Sequence, residues 1–481
     1  MYKYKLKEEL VVRCIYDKLL LIDPKSQKYN EGDSVYSVNE SGRIFVEMMQ
    51  TMDHFSSEDL LEKAMDYFEL TPDMEFEIRH DIDNFIEDLL NKGYVMPSPQ
   101  IESKDISFNQ KTESSLTKKK RETYDWKQWT EECSKRMLPL NGGIEVTRKC
   151  NMNCVHCYLE GAREEELLSL NELKSILDTL EASNILSIYF TGGEVFSRKD
   201  FMDLYLYAKR KGFLVSILTN GTLIRDEDLK VLSAYPPHNL SISLYGMSEE
   251  VYNLVTQSKG NFNTIISNIK KICKLGLNLE LKFIMLNENK HEYSLAKEFA
   301  ESLGIELVVG KELFPTFCGD TSVYDHLISL EEAINVERDN SKLSKAYQLV
   351  SDTENPFLGR DEKPLFLCGI GSNSFLIDSE GWLNPCSKAR IKRFNLLRDD
   401  FSSSWKKFSS YKKVQAHASY KCLTCPDINY CSPCPMVNYL STGDYEKPDE
   451  RKCQLAAMRR AAFSNINVNM KEKGGDDNEK S

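Results

Sequence analysis

Between residues 136 and 335 the chain alternates two hydrophobic rhythms, and few folds accept that order. Short apolar runs at 144–147, 186–191, 214–219, 240–244, 279–286 and 305–309 have strand length, and stretches with helical periodicity separate them. Ser169 and Glu172 form a capping-box pair ahead of Leu173, Ile176, Leu177 and Leu180. Ile265, Ile266, Ile269 and Ile272 mark another amphipathic helix, stopped at Gly276. Six strand–helix units in succession predict an α/β domain: a parallel sheet curved as a partial (β/α)6 barrel, with its reactive loops at the strands' C-terminal ends.

The first of those loops carries Cys150, Cys154 and Cys157, spaced C-x3-C-x2-C directly after the first strand. Thiolates are the ligands of iron–sulfur clusters, and a cubane has four irons to hold. Three sulfurs on one short loop take three of them and leave the fourth open to a substrate or cofactor. The alternatives are a zinc knuckle or three buried thiols. Zinc asks for a fourth Cys or His close by, and His156 lies between two of the ligands.

C-x3-C-x-Φ-C, with His156 at the aromatic position, resembles the signature of the radical S-adenosylmethionine enzymes. The resemblance implies a partial TIM barrel whose [4Fe–4S] cluster is held by Cys150, Cys154 and Cys157, and an open iron chelated by S-adenosylmethionine. One electron then cleaves the sulfonium to a 5′-deoxyadenosyl radical, which abstracts a hydrogen atom. Thr191-Gly192-Gly193-Glu194, after the second strand, resembles the family's GGE motif, whose backbone and carboxylate hold the methionyl amino group. By the same resemblance Asn220 (in Thr219-Asn220-Gly221-Thr222), Ser241, Ser243 and Lys282 approach the ribose and carboxylate of the cofactor, with His156 beside it. Leu244-Tyr245-Gly246 stands where many relatives have Asp-Gly, and the tyrosine resembles the peptide-modifying branch.

A hydrophobic fraction of 41% with 28% charged residues in 481 reads as a soluble globular protein, expected to be cytoplasmic, and it carries fourteen cysteines. The start carries no apolar signal region and no run reaches membrane-spanning length, so no membrane partner is expected. In a reducing compartment clustered cysteines bind metal rather than form disulfides. The net charge of −12 argues against nucleic acid.

Residues 1–97 read as a winged-helix-like α+β module. Residues 9–22 form a hairpin, and three helices follow, the last placing Ile78, Ile82, Phe85, Ile86, Leu89 and Leu90 on one face before Gly93. Eleven Lys and Arg against twenty-one Asp and Glu in residues 1–100 oppose DNA binding. The module resembles the PqqD-like element with which peptide-modifying enzymes bind a leader peptide by strand addition, and the candidate edge lies in residues 9–22. An inert structural cap is the alternative. Residues 98–135 read as a polar linker with a basic run at 118–121, and 336–365 as a bridging region.

Residues 366–460 hold Cys368, Cys386, Cys422, Cys425, Cys431, Cys434 and Cys453. The pattern C-x12-G-x4-C, C-x2-C-x5-C-x2-C and a later Cys resembles the SPASM extension, which holds two auxiliary clusters; the last spacing of the quartet is x2 where x3 is usual. That resemblance implies one closed cluster on Cys422, Cys425, Cys431 and Cys453, and a second on Cys368, Cys386 and Cys434. The second lacks one ligand: either Cys318 closes it or an open iron binds a substrate thiolate. Two zinc sites are the other reading of such a field. Cys14, Cys133 and Cys273 read as ordinary thiols, and residues 461–481 as a disordered tail.

The resemblance thus implies a radical S-adenosylmethionine maturase of a ribosomally made precursor peptide, of the sactipeptide or ranthipeptide kind. It would form cysteine thioether cross-links with three [4Fe–4S] clusters and an electron donor such as a flavodoxin or ferredoxin. Carbon–carbon cross-linking or other peptide oxidation, formylglycine formation in the manner of anaerobic sulfatase maturases, and a non-catalytic iron–sulfur electron carrier or scaffold are the rivals.

Overall fold

The structure, a computed structural model, describes residues 3–26, 35–68, 74–98, 126–159, 167–350 and 355–473. The N-terminal module contains β1 (Tyr4–Leu6), β2 (Val11–Ile15), β3 (Lys18–Ile22), β4 (Val35–Val38), α1 (Glu40–Gln50), α2 (Ser57–Phe68), α3 (Glu75–Asn91) and β5 (Val95–Pro97). β2, β3 and β4 form an antiparallel meander, and β1 pairs with β5. The expected hairpin turns at Tyr16, whose φ of 53° is left-handed. Of the segment named as the leader-binding edge, β3 is paired on both sides; β2 and β4 are the edges of that sheet.

Apolar residues of the meander (Ile15, Leu20, Ile22, Val35) pack on Trp129, Cys133, Leu140, Leu186 and Leu214 and so join the module to the barrel. Arg13 secures the joint: its guanidinium donates to the Ile185 carbonyl at 2.8 Å and lies 4.9 Å over the Phe213 ring. Residues 99–125 of the expected linker, with the basic run at 118–121, lie outside the described residues. Its last ten residues form α4 (Trp126–Lys135), because Trp129 and Cys133 share one helical face that is buried.

The barrel follows the predicted order: β6 (Asn141–Thr147), α5 (Leu170–Ala182), β7 (Ser187–Gly192), α6 (Phe201–Arg210), β8 (Leu214–Thr219), α7 (Asp226–Ala234), β9 (Asn239–Leu244), α8 (Glu249–Thr256), α9 (Phe262–Lys274), β10 (Leu279–Ile284), α10 (Tyr293–Ser302) and β11 (Glu306–Gly310). All six strands are parallel neighbours. Along β9 the side chains of Leu240, Ile242 and Leu244 enter the core shared with the helices, which leaves Ser241 and Ser243 on the opposite, inner face.

After α11 (Leu330–Asp339) and α12 (Ser341–Val350), the cysteine-rich region adds β12 (Ser374–Ile377) parallel to β6, then β13 (Trp382–Asn384) and β14 (Phe394–Asn395) antiparallel. The sheet therefore runs on past the barrel to nine strands. α13 (Phe401–Phe408), α14 (Pro435–Thr442) and α15 (Glu450–Lys473) complete the chain. The tail expected to be disordered from residue 461 is helical as far as Lys473. Phe463 is fully buried there, 5.2 Å from the Tyr347 ring, and so carries the helix onward.

Candidate active site

β6 delivers the three cysteines of the first loop to the C-terminal mouth of the barrel. Backbone bonds pin that loop from two sides. Asn153 and Val155 donate to the Thr256 and Val255 carbonyls at the end of α8, each at 3.0 Å, and Lys149 and Thr147 accept from Glu194 and Gly193 at 2.7 and 2.9 Å. The second contact explains the two glycines. A Cβ on Gly192, where φ is +139°, would stand 2.2 Å from the Thr147 carbonyl oxygen, and one on Gly193 equally close to that of Lys149.

A side-chain relay ties the loop to the third strand's loop. Asn220 donates to Asn151 at 2.9 Å, Asn151 donates to the Thr222 hydroxyl at 2.9 Å, and that hydroxyl donates back to Asn220 at 2.7 Å. Glu194 is fully buried beneath them. Its carboxyl accepts from the Thr219 hydroxyl and the Asn220 amide, both at 2.6 Å, and from the Phe196 amide at 3.1 Å. Burial pushes its pKa up while these three donors pull it down. The carboxyl thus staples two loops.

The thiols are close and poorly solvated. Burial pushes the Cys150 thiol up to about 11, and that of Cys154, with Cys157 and Cys150 beside it, higher still. Neutral thiols are the resting state of such a group, and a bound cationic centre would draw off the protons. Tyr245 lies beneath this loop: it is buried beside Ser243 and Cys154, and its ring stands 5.2 Å from that of His156. Burial holds His156 down to about 4, hence neutral, with its Nδ1 unpartnered. On the inner face Ser241 donates to Glu280 at 2.8 Å, and the Lys282 ammonium lies 3.7 Å from the same carboxylate.

The opposite wall of the barrel is joined to the cysteine-rich region. Glu145 of β6, 5% exposed, pairs with Arg390 at 2.5 Å; Arg390 lies 3.7 Å over the Phe317 ring, which meets Tyr158 edge-on. One guanidinium nitrogen, Nη1, is buried without a partner. Lys388, 3.3 Å over the Phe314 ring, is pushed by burial down to about 8.

The seven C-terminal cysteines gather in two groups. Cys422, Cys425, Cys431 and Cys453 line one cavity together with Cys434, Asp449 and Lys452. Cys386 is pushed up to about 11 by burial and then by Cys434 and Cys368, which places those three together. Cys318 is exposed on the loop after β11, beside Thr316. Cys133 is buried in the joint below the barrel, Cys273 packs on the barrel core, and Cys14 is exposed. Among the described residues no three His, Cys, Asp or Glu side chains converge on a point where one metal ion would sit. Thiolates are the donors an iron–sulfur cubane takes, and Cys150, Cys154 and Cys157 supply three on one loop. Sequence reasoning missed Asn151, Arg390 and Lys388, whose partners lie 69 to 245 residues away or are rings. Tyr245 was legible only as a departure from a familiar dipeptide.

Residues 144–300 match the Radical SAM superfamily model, so the barrel of this chain is a radical SAM domain. Such a domain uses S-adenosylmethionine and a [4Fe–4S] cluster. The antilisterial bacteriocin subtilosin biosynthesis protein AlbA of Bacillus subtilis is 26% identical over 61% of this chain and 66% of its own length. Fe-coproporphyrin III synthase of Methanosarcina barkeri is 32% identical over 39% of the chain and 47% of itself. Mycofactocin maturase MftC of Mycolicibacterium smegmatis is 26% identical over 58% and 74%. The chain thus spans just under two thirds of the first relative and about half of the second. Among solved structures, Streptococcus suis SuiB bound to precursor peptide SuiA superposes with a TM-score of 0.56 at 16% identity, over 94% of this chain and 100% of that one. SuiB bound to S-adenosylmethionine gives 0.53 at 13% identity. These are likenesses of fold. Among the described residues no helix is long and apolar enough to cross a membrane.

Proposed function

We propose that this chain matures a ribosomally made precursor peptide by radical S-adenosylmethionine chemistry, installing cysteine thioether cross-links. The observation that carries the reading is the packing of Cys150, Cys154 and Cys157 on one pinned loop at the barrel mouth, with two further thiol groups in the C-terminal region. When bound, the cluster and S-adenosylmethionine supply a radical that takes a hydrogen atom from the substrate.

The chain's own residues position and shield. Cys150, Cys154 and Cys157 hold the first cluster; Cys422, Cys425, Cys431 and Cys453 hold a second, and Cys368, Cys386 and Cys434 a third. The Gly192-Gly193 backbone, Thr191, Ser241, Ser243, Asn220 and Lys282 line the place for S-adenosylmethionine, while Tyr245 and His156 keep water from the cysteine loop. The free Nη1 of Arg390 can donate to a peptide carbonyl entering beside Tyr158 and Phe317. An open edge of the meander, β2 or β4, adds the leader as a further strand. A fold likeness that takes in the N-terminal module as well as the barrel supports a peptide substrate, since SuiB was solved with its precursor.

Anaerobic co-expression with a candidate precursor tests this. Each thioether lowers the peptide's mass by two hydrogens and removes one thiol from reaction with iodoacetamide. The same mass loss with every thiol still reactive would replace the thioether by a carbon–carbon bond or another oxidation. An unmodified peptide after demonstrated cofactor cleavage would remove the maturase reading.

A further inference from the structure

The chain is acidic overall, at −12, yet between positions 386 and 421 it carries ten Lys and Arg against two Asp and no Glu. Both acids serve local turns. Asp399 accepts from the Asn395 amide at 2.7 Å, and Asp400 caps α13 through the Ser403 amide at 2.8 Å. Arg393 and Lys407 lie over the same ring, that of Phe394, at 5.1 and 5.0 Å. Arg398 lies 5.3 Å over Trp382, which pairs with Asn395 on the adjoining strand. Lys406 stands beside Lys407, and all four of these cations are exposed. Lys392 pairs at 2.7 Å with Glu380, which precedes β13 and accepts from the Trp382 indole, so the cationic surface over β13, β14 and α13 is made by Arg393, Arg398, Lys406 and Lys407.

That surface is continuous with one of the thiol groups. Phe394 meets Phe408 at 5.2 Å, Phe408 meets Tyr411 at 6.3 Å, and Tyr411 meets Phe366 at 5.6 Å, two residues before Cys368. The Lys412 ammonium holds the same loop, donating to the Cys368 carbonyl at 2.7 Å. Cys368 is itself exposed, unlike its neighbours Cys386 and Cys434.

We infer that this surface docks an acidic electron-carrier protein, bearing a flavin or an iron–sulfur centre, and that electrons enter the chain over Cys368. The inference rests on the proposed reading of Cys368, Cys386 and Cys434 as a cluster site. Each encounter moves one electron: the carrier is oxidised by one and the cluster reduced by one, and no bond is made or broken. Electron transfer weakens steeply with distance, so the entry point must be a cluster edge near the surface. Against the chain's net negative charge, a positive face both speeds the encounter with an acidic carrier and orients it.

The test compares two reductants, reading 5′-deoxyadenosine formed from S-adenosylmethionine by the cluster-loaded full chain. One is reduced flavodoxin, or reduced ferredoxin if flavodoxin is inert; the other is dithionite. In the triple variant Arg393→Glu, Lys406→Glu, Lys407→Glu the carrier-driven rate should fall by about tenfold or more, the low end of steering effects. The dithionite-driven rate should stay within about twofold. A Gln version, keeping the aliphatic stems on Phe394, should show the same split more weakly, and raised salt should slow the carrier-driven reaction of the wild type alone. Equal carrier-driven rates in wild type and variants would overturn the inference. So would a parallel loss with dithionite in the Gln version, or a wild type that dithionite drives but neither carrier does. Absence of product with dithionite in the wild type would instead strike the proposed function itself.

Discussion

Removing Glu337 should destabilise the C-terminal region more than removing its partner Arg459, and the two costs can be worked from the contacts. Glu337 of α11 is 0% exposed, and Arg459 of α15 is 7% exposed. The guanidinium reaches the carboxylate through Nη2 at 2.7 Å and Nε at 2.9 and 3.1 Å. Lys311, 10% exposed, approaches the same carboxylate at 3.1 Å, whereas Arg459's other acidic neighbour, Glu312 at 3.3 Å, is 38% exposed. Stripping one partner from a buried pair costs about 3–5 kcal/mol. Arg459→Gln leaves Glu337 with Lys311, so its cost lies near the low end, about 3 kcal/mol. Glu337→Gln leaves buried Lys311 without a carboxylate and Arg459 with only Glu312, which Lys452 also approaches at 3.8 Å, and lies near the high end, about 5 kcal/mol.

At about 2–4 °C per kcal/mol, the melting transition of this region should fall by roughly 6–12 °C and 10–20 °C respectively. Arg459 also donates to the Tyr430 carbonyl at 3.2 Å, next to Cys431, and its helix carries Cys453. On the proposed reading of three clusters, loosening it should therefore release one, lowering iron from about twelve to about eight per chain. Calorimetry with iron analysis reads both quantities. A larger loss for Arg459→Gln than for Glu337→Gln, or full iron in each variant, would refute the reasoning.

Three other perturbations should act locally. Cys154→Ala should remove about four irons and all 5′-deoxyadenosine formation while the N-terminal module keeps its fold, read by iron analysis and product chromatography. Asn220→Ala leaves the Asn151 side-chain oxygen and the Thr222 amide without partners; it should cost about 1–3 kcal/mol in chemical denaturation and make the first cluster easier to strip with chelator. Lys209 of α6 is 6% exposed, and burial lowers it to about 8. Between about pH 8 and 10.5 the unfolded chain holds a proton that the folded chain has released, so stability rises with pH there. Lys209→Met should flatten that rise and add about 3 kcal/mol at neutral pH, measured by denaturant titration across the range.

Barrel order was readable because each strand and helix buries one face, and burial imposes a period on the sequence. Leu173, Ile176, Leu177 and Leu180 announced α5, and the run at 214–219 coincides with β8. The cysteine groups were readable because ligand spacing along a short loop is itself sequence information. Contacts between distant positions were not. Nothing near Glu145 names Arg390, 245 residues away, and nothing near Gly143 names β12 as the strand that extends the sheet. Trp129 and Cys133 read as linker because a helix of ten residues with two apolar anchors has too weak a period to stand out beside a polar stretch. The continuation of α15 past residue 461 hangs on Phe463, one ring between two alanines and a mostly polar stretch.

The most direct measurement is the fate of S-adenosylmethionine when the anaerobically reconstituted full chain is reduced with dithionite. The expected result is 5′-deoxyadenosine and methionine in equal amounts, absent when Cys154 is replaced by Ala. Intact S-adenosylmethionine in the presence of a fully loaded, reduced wild-type chain would contradict it.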